Sequence, residues 1–101
     1  MAENKTVLTV DEVDNELASL SGWSRCGVVI SKDFVMANFR DITSFLNHLV
    51  QTITTMNHHP DFSLDTGTRT IAVSVTTHSE KAITRADMDF ARELNTWAPG
   101  G

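Results

Sequence analysis

A long apolar-periodic segment in the middle of the chain constrains the fold more than any other feature. Asn38 is a favourable N-cap, and the apolar residues after it recur at intervals of three and four as far as Met56. A helix over this segment is about 27 Å long at roughly 1.5 Å per residue. That length exceeds what a small four-stranded sheet needs to cover, so the apolar surface either contacts a helix of another subunit or packs wholly inside one chain. The apolar positions are Phe39, Ile42, Phe45, Leu46, Leu49, Val50, Ile53 and Met56.

Four shorter segments alternate between apolar and polar residues, which is the period of a β-strand. They cover 23–26, 28–36, 62–64 and 69–77. The last of these has one apolar face and one small, polar face, as expected for an antiparallel sheet covered on one side. Lys32 interrupts the apolar face of the second segment, which favours a position near a sheet edge.

Two capping boxes begin the other helices. Thr9 is followed three residues later by Glu12, and Thr84 by Asp87, a spacing in which each side chain satisfies the backbone N–H of the other residue. The predicted order of elements is therefore α-β-β-α-β-β-α. We expect an α+β fold with a four-stranded antiparallel sheet covered on one face by helices.

The 101 residues fit one domain. We expect residues 1–8 to form a flexible N-terminal arm, 9–97 the single domain and 98–101 a C-terminal tail. A net charge of −5 argues against a nucleic-acid-binding surface, and the sequence has no run of 18 apolar residues for a membrane span. The first residues show no apolar signal segment, so a cytoplasmic protein is expected. Cys26 is the sole cysteine and can form no internal disulfide.

The candidate site lies where the long helix is expected to end, at His58 and His59 before Pro60. His78 ends the fourth strand, so the fold can bring it close, and Asp87 opens the last helix. Histidine has an unperturbed pKa near physiological pH, which suits acid–base catalysis. A zinc site is disfavoured because adjacent histidines rarely reach one ion and no metal-binding spacing is present. The remaining alternative is that these are polar loop histidines and that Asp87 only completes its capping box.

The histidine pattern resembles the signature of the pterin-4a-carbinolamine dehydratase family, also called dimerisation cofactor of a homeodomain transcription factor. The resemblance extends over roughly 9–97. Its motifs are Asn57-His58-His59-Pro60, Thr76-Thr77-His78, Asp87, Gly22-Trp23, Phe34-Val35-Met36-Ala37-Asn38-Phe39 and Ile83-Thr84-Arg85-Ala86-Asp87.

The sequence departs from the family pattern at several positions. Thr54 stands where the family usually has a glutamate, four residues before His58. Phe62 stands where the family commonly has a tryptophan, the family's aromatic residue near Thr66 is missing, and the hairpin between Pro60 and His78 is about two residues longer. A glutamate at 54 would favour the charged form of His58, so the departures affect substrate contacts and rate more than the fold.

The resemblance implies a dehydratase that converts 4a-hydroxytetrahydropterin to quinonoid dihydropterin, in tetrahydrobiopterin recycling, without metal or redox cofactor. It implies proton transfers by His58 and His78, and a homodimer or homotetramer. The alternative is a non-catalytic binding protein, because mammalian members also bind a transcription factor as a coactivator. The expected substrate-binding residues are His59, Pro60, Asp61, Phe62, Thr77 and Asp87.

Overall fold

The computed structural model describes residues 3–99 and contains the predicted three helices and four strands. The α+β class and the α-β-β-α-β-β-α order are confirmed. Each strand begins and ends within two residues of its predicted bounds. The elements are α1 (Val10–Leu17), β1 (Ser24–Cys26), β2 (Val29–Val35), α2 (Phe39–Met56), β3 (Asp61–Asp65), β4 (Thr70–Val75) and α3 (Arg85–Leu94).

The four strands form one antiparallel sheet in the order β1-β2-β4-β3. Phe34 of β2 lies opposite Ile71 of β4, and both side chains are buried in the core under the helices. Along β4 buried residues alternate with partly exposed ones, which is the pattern of a sheet covered on one face. Strand β3 is an edge strand, and all five of its residues are exposed.

Helix α2 begins where the sequence predicts, because the Asn38 side chain accepts a hydrogen bond from the Asp41 backbone N–H at 2.9 Å. Phe45 and Leu49 are fully buried against the sheet. Two of the apolar residues, Phe39 and Val50, remain 63% and 55% exposed. The surplus apolar surface of this helix is therefore not packed wholly inside one chain.

The expected position of Lys32 near a sheet edge is wrong, because β2 is an internal strand. The ammonium group instead reaches polar acceptors, the Ser21 carbonyl at 2.9 Å and Asn95 Oδ1 at 3.0 Å. It also lies 4.5 Å from the ring centroid of Phe34. Burial lowers the pKa of Lys32, but these contacts allow a lysine on the core face.

Residues 3–8, expected as part of a flexible arm, are docked in the structure, and we call them the N-terminal strap. The carbonyls of Asn4 and Thr6 accept hydrogen bonds from the backbone N–H groups of Ala86 and Arg85, at 2.8 and 2.9 Å. Those N–H groups belong to the first turn of α3, where no partner exists within the helix. The strap therefore satisfies donors that α3 leaves free, a pairing that local sequence patterns do not reveal.

Candidate active site

The residue that places the two adjacent histidines is Asn57. It adopts a left-handed conformation (φ 53°, ψ 40°) directly after Met56, the last residue of α2, so the helix ends just before the predicted His58–His59 stop. Asparagine tolerates this conformation better than most residues. After the turn His58 is buried, with 4% exposure, while His59 is exposed. The two imidazoles thus have different environments.

His58 contacts a carboxylate with each of its ring nitrogens. Its Nε2 lies 2.5 Å from Asp87 Oδ1, and its Nδ1 contacts Glu3 Oε1. The ring edge also packs on Phe90, with 5.9 Å between the ring centroids. A neutral imidazole has one N–H, whereas the imidazolium has two. Two carboxylate partners therefore favour the charged form of His58.

Burial lowers the pKa of His58, because removing the ring from water penalises its charged form. The hydrogen bonds and negative charges of Asp87 and Glu3 act in the opposite direction. Together they outweigh burial, so the pKa of His58 is raised above its ordinary value. The two carboxylates therefore favour the imidazolium form of His58.

Asp87 is completely buried and has a second set of contacts. Its Oδ2 accepts hydrogen bonds from the Thr84 backbone N–H and from Thr77 Oγ1, each at 2.8 Å. The hydroxyl groups of Thr77 and Thr84 lie 2.7 Å apart. The capping box at the start of α3 is present, but Asp87 also holds His58, so capping is not its only contact.

A shallow pocket of about 160 Å³ opens beside His58. The exposed His59 and His78 lie in its wall, and Asp87 lies behind it through His58. The loop that follows β4 contributes one side of the pocket, and the strap contributes another. The lining residues are Glu3, Lys5, His58, His59, Thr76, Thr77, His78 and Ser79.

Four of the predicted substrate-binding residues do not line this pocket, namely Asp87, which lies behind His58, and Pro60, Asp61 and Phe62. Asp61 and Phe62 line a separate depression of about 410 Å³ that runs along strands β2, β4 and β3. Pro60 joins His59 to β3 and is partly exposed. The structure therefore brings together His58, His59, Thr77, His78 and Asp87, and leaves Pro60, Asp61 and Phe62 outside the pocket.

Thr76 and Ser79 after β4 were not predicted as pocket residues, nor were Glu3 and Lys5 on the strap. The only local signal is Asn4, whose side chain accepts a hydrogen bond from the Thr6 backbone N–H at 3.0 Å, a turn typical of asparagine. Thr54, in contrast, is exposed and donates its hydroxyl to the Val50 carbonyl at 3.1 Å. The second carboxylate on His58 thus comes from the strap and not from α2.

The residues in the pocket provide proton donors and acceptors. Within 3–99, no group of three or more His, Cys, Asp or Glu side chains is arranged to hold a metal ion. None of the helices described for this range combines the length and apolar character that a membrane span requires. Three imidazoles and a buried carboxylate can together move protons to and from a small bound molecule.

The fold and the site define a small α+β protein with a histidine-lined pocket suited to acid–base chemistry. Comparison with known proteins identifies the family. The sequence model described as pterin 4 alpha carbinolamine dehydratase matches residues 6–97, and the chain belongs to this family.

Relatives of known sequence and structure agree with this assignment. A protein of Sulfurisphaera tokodaii, provisionally named pterin-4-alpha-carbinolamine dehydratase, is 35% identical to this chain. The matched region covers 87% of this chain and 92% of the length of that protein. A Mycobacterium avium protein of the same provisional name is 33% identical over 88% of this chain and 93% of its own length. The crystal structure of a transcriptional coactivator/pterin dehydratase from Brucella melitensis has a TM-score of 0.82 and 26% identity. The superposition of the two structures covers 90% of this chain and 97% of the Brucella chain.

Proposed function

We propose that this protein is a 4a-hydroxytetrahydropterin dehydratase (pterin-4a-carbinolamine dehydratase) that works by histidine acid–base catalysis. The observation that carries the proposal is His58, a buried imidazole between two carboxylates at the inner wall of a pocket that also contains His59 and His78. The family assignment supplies the pterin substrate class. The side chains supply the groups that removal of water from a carbinolamine needs.

The reaction transfers two protons and forms no covalent bond to the protein. The C4a–O bond breaks as the departing hydroxyl receives a proton and leaves as water. The N5–H proton is lost to a base, and its electron pair forms the N5=C4a double bond of the quinonoid dihydropterin. We assign the acid role to His58, because its ring lines the pocket and two carboxylates favour its protonated form. The exposed His78 then accepts the N5 proton, and each transfer contributes about 10²–10⁴-fold to the rate.

The other site residues bind and orient in this proposal. His59, exposed in the pocket wall, contacts the pterin ring. Thr77 and Asp87 fix His58 through the buried hydrogen bonds behind the pocket. The predicted contacts of Pro60, Asp61 and Phe62 with the substrate stay a prediction, since these residues lie outside the pocket.

The pathway and the compartment follow from the same proposal. The substrate is the product of an aromatic amino-acid hydroxylase, so dehydration returns the pterin to tetrahydrobiopterin recycling. We propose that this takes place in the cytoplasm. No metal or redox cofactor enters the scheme, because proton transfer to oxygen and from nitrogen completes it.

Dehydration of 4a-hydroxytetrahydropterin tests the proposed activity directly. The substrate is generated in situ by a phenylalanine hydroxylase, and the quinonoid product is followed by ultraviolet absorbance. We expect a rate well above the spontaneous one, proportional to the concentration of this protein. A folded protein that leaves the spontaneous rate unchanged would contradict the proposed activity.

We propose further that the protein is a homodimer or homotetramer. Phe62 and Leu64 on the edge strand β3 are 45% and 40% exposed, and Val50 on α2 is 55% exposed. An edge strand offers unpaired backbone groups to another chain, and a second copy would cover this apolar surface. Light scattering at micromolar concentration should give two or four times the 11.2 kDa of one chain. The mass of a single chain would overturn this prediction.

The second candidate function is a binding protein of the coactivator type. The observation in its favour is the name of the Brucella melitensis neighbour, which combines coactivator with dehydratase. A protein that only binds partners should keep its binding when His78 is replaced. A dehydratase loses its activity with the same substitution, so this one variant separates the two functions.

A further inference from the structure

The N-terminal strap delivers a single side chain, Glu3, to the proposed catalytic histidine. The strap is held in place through its backbone, because Asn4 and Thr6 accept from α3 and Leu8 N–H donates to the Ile83 carbonyl at 3.0 Å. Asn4, whose carbonyl is bonded to Ala86, is the residue next to Glu3. The position of Glu3 therefore does not depend on its own carboxylate.

The carboxylate of Glu3 contacts His58 Nδ1, and its side chain is 18% exposed. Lys5 lies nearby, with its Nζ 3.7 Å from Glu3 Oε2 and 3.1 Å from Ser79 Oγ. The charged and titratable groups around His58 are thus Glu3 and Lys5 from the strap and Asp87 from α3, with His59 and His78 in the pocket. Because His58 is buried, these charges act on it with little screening by solvent.

The two carboxylates have different consequences for the imidazole. Asp87 bonds Nε2, and a neutral ring that carries its one proton on Nε2 satisfies that bond fully. Glu3 faces Nδ1, so the same neutral ring would present a lone pair to a carboxylate. Only the imidazolium satisfies both partners. Both carboxylates therefore favour the imidazolium. Asp87 is also tied into the cap of α3 and so orients the ring, whereas Glu3 supplies the second negative charge from the strap.

We propose that Glu3 is a positioning residue that keeps His58 doubly protonated in the active site. It does so from the N-terminal strap, 55 residues away in sequence. Because His58 takes part in turnover only under the proposed function, Glu3 affects catalysis only if that function holds. Its effect on the ring itself is measurable without any substrate.

The first test is an NMR titration of His58 in the wild-type protein and in two variants, Glu3→Gln and Lys5→Gln. Glu3→Gln removes the carboxylate and keeps the backbone of the strap. The midpoint for His58 should fall by at least about one pH unit, since a nearby opposite charge shifts a pKa by about that much or more. Lys5→Gln removes a positive charge from the same strap, so it should not lower the midpoint. An unchanged midpoint in Glu3→Gln overturns the proposal, and so does an equal fall in both variants, which would indicate loss of strap docking.

The second test is the pH profile of kcat/KM for dehydration. If protonated His58 is the acid, activity declines at high pH as His58 loses its proton. A lower pKa in Glu3→Gln moves this decline to lower pH by the same amount as the NMR midpoint, and Glu3→Asp restores part of the difference. A profile that does not move while the NMR midpoint does would overturn the role of Glu3 in turnover. An inactive wild-type protein would contradict the proposed function. The NMR titration would still decide whether Glu3 favours the charged form of His58.

Discussion

His78→Ala is expected to lower kcat/KM for 4a-hydroxytetrahydropterin dehydration by about 10²–10⁴-fold, the usual contribution of one general acid or base. His78 is exposed in the pocket wall, three residues beyond the end of β4. Removal of an exposed side chain usually changes the free energy of unfolding by less than about 0.5 kcal/mol. A large loss of activity with little loss of stability is therefore the signature of a catalytic His78.

His48→Ala is a suitable control for this variant. His48 is also a partly exposed histidine, but its Nε2 lies 2.8 Å from the Glu93 carbonyl, away from the pocket. We expect kcat/KM to stay within about twofold of wild type in His48→Ala. His58→Ala should also lose activity, but it removes a buried partner of Asp87 and so confounds catalysis with stability. Full activity in His78→Ala would show that His78 does not accept the N5 proton.

The elements of this fold could be predicted because their signals are local. The period of three and four after Asn38, the alternation along β4 and the capping box at Thr84 each lie within one segment. The order of strands is not a local property. The predicted position of Lys32 near a sheet edge is wrong because β2 pairs with β4 as well as with β1, and no residue near Lys32 in sequence indicates the second pairing.

For the candidate site, the sequence indicates which residues come together but not how their side chains are oriented. The spacing of the histidines and Asp87 marked the residues that meet, but not the directions in which they point. Asn57 decides that His58 turns inward and His59 outward, through a single left-handed residue. The contribution of Glu3 could not be predicted, because it depends on carbonyls of the strap meeting free N–H groups of α3.

Asp87→Ala should destabilise the protein by about 3–5 kcal/mol, the cost of removing one partner from a buried ion pair. Asp87 is completely buried and bonds His58, Thr77 and the Thr84 backbone N–H. Its loss leaves His58 Nε2 and the Thr84 backbone N–H without their buried acceptor. Urea unfolding followed by circular dichroism measures the difference at constant pH.

The size of the loss in Asp87→Ala separates the two interpretations that the sequence left open. A residue that only caps a helix is worth about 1 kcal/mol, so a loss of that size would contradict the buried ion pair with His58. Asp89→Ala on the same helix is the control, because Asp89 is partly exposed and its loss should cost less than about 0.5 kcal/mol. If Asp87 and His58 form an ion pair, Asp87→Ala should lower the free energy of unfolding less in a His58→Ala background than in the wild type. In that background no imidazolium loses its carboxylate partner.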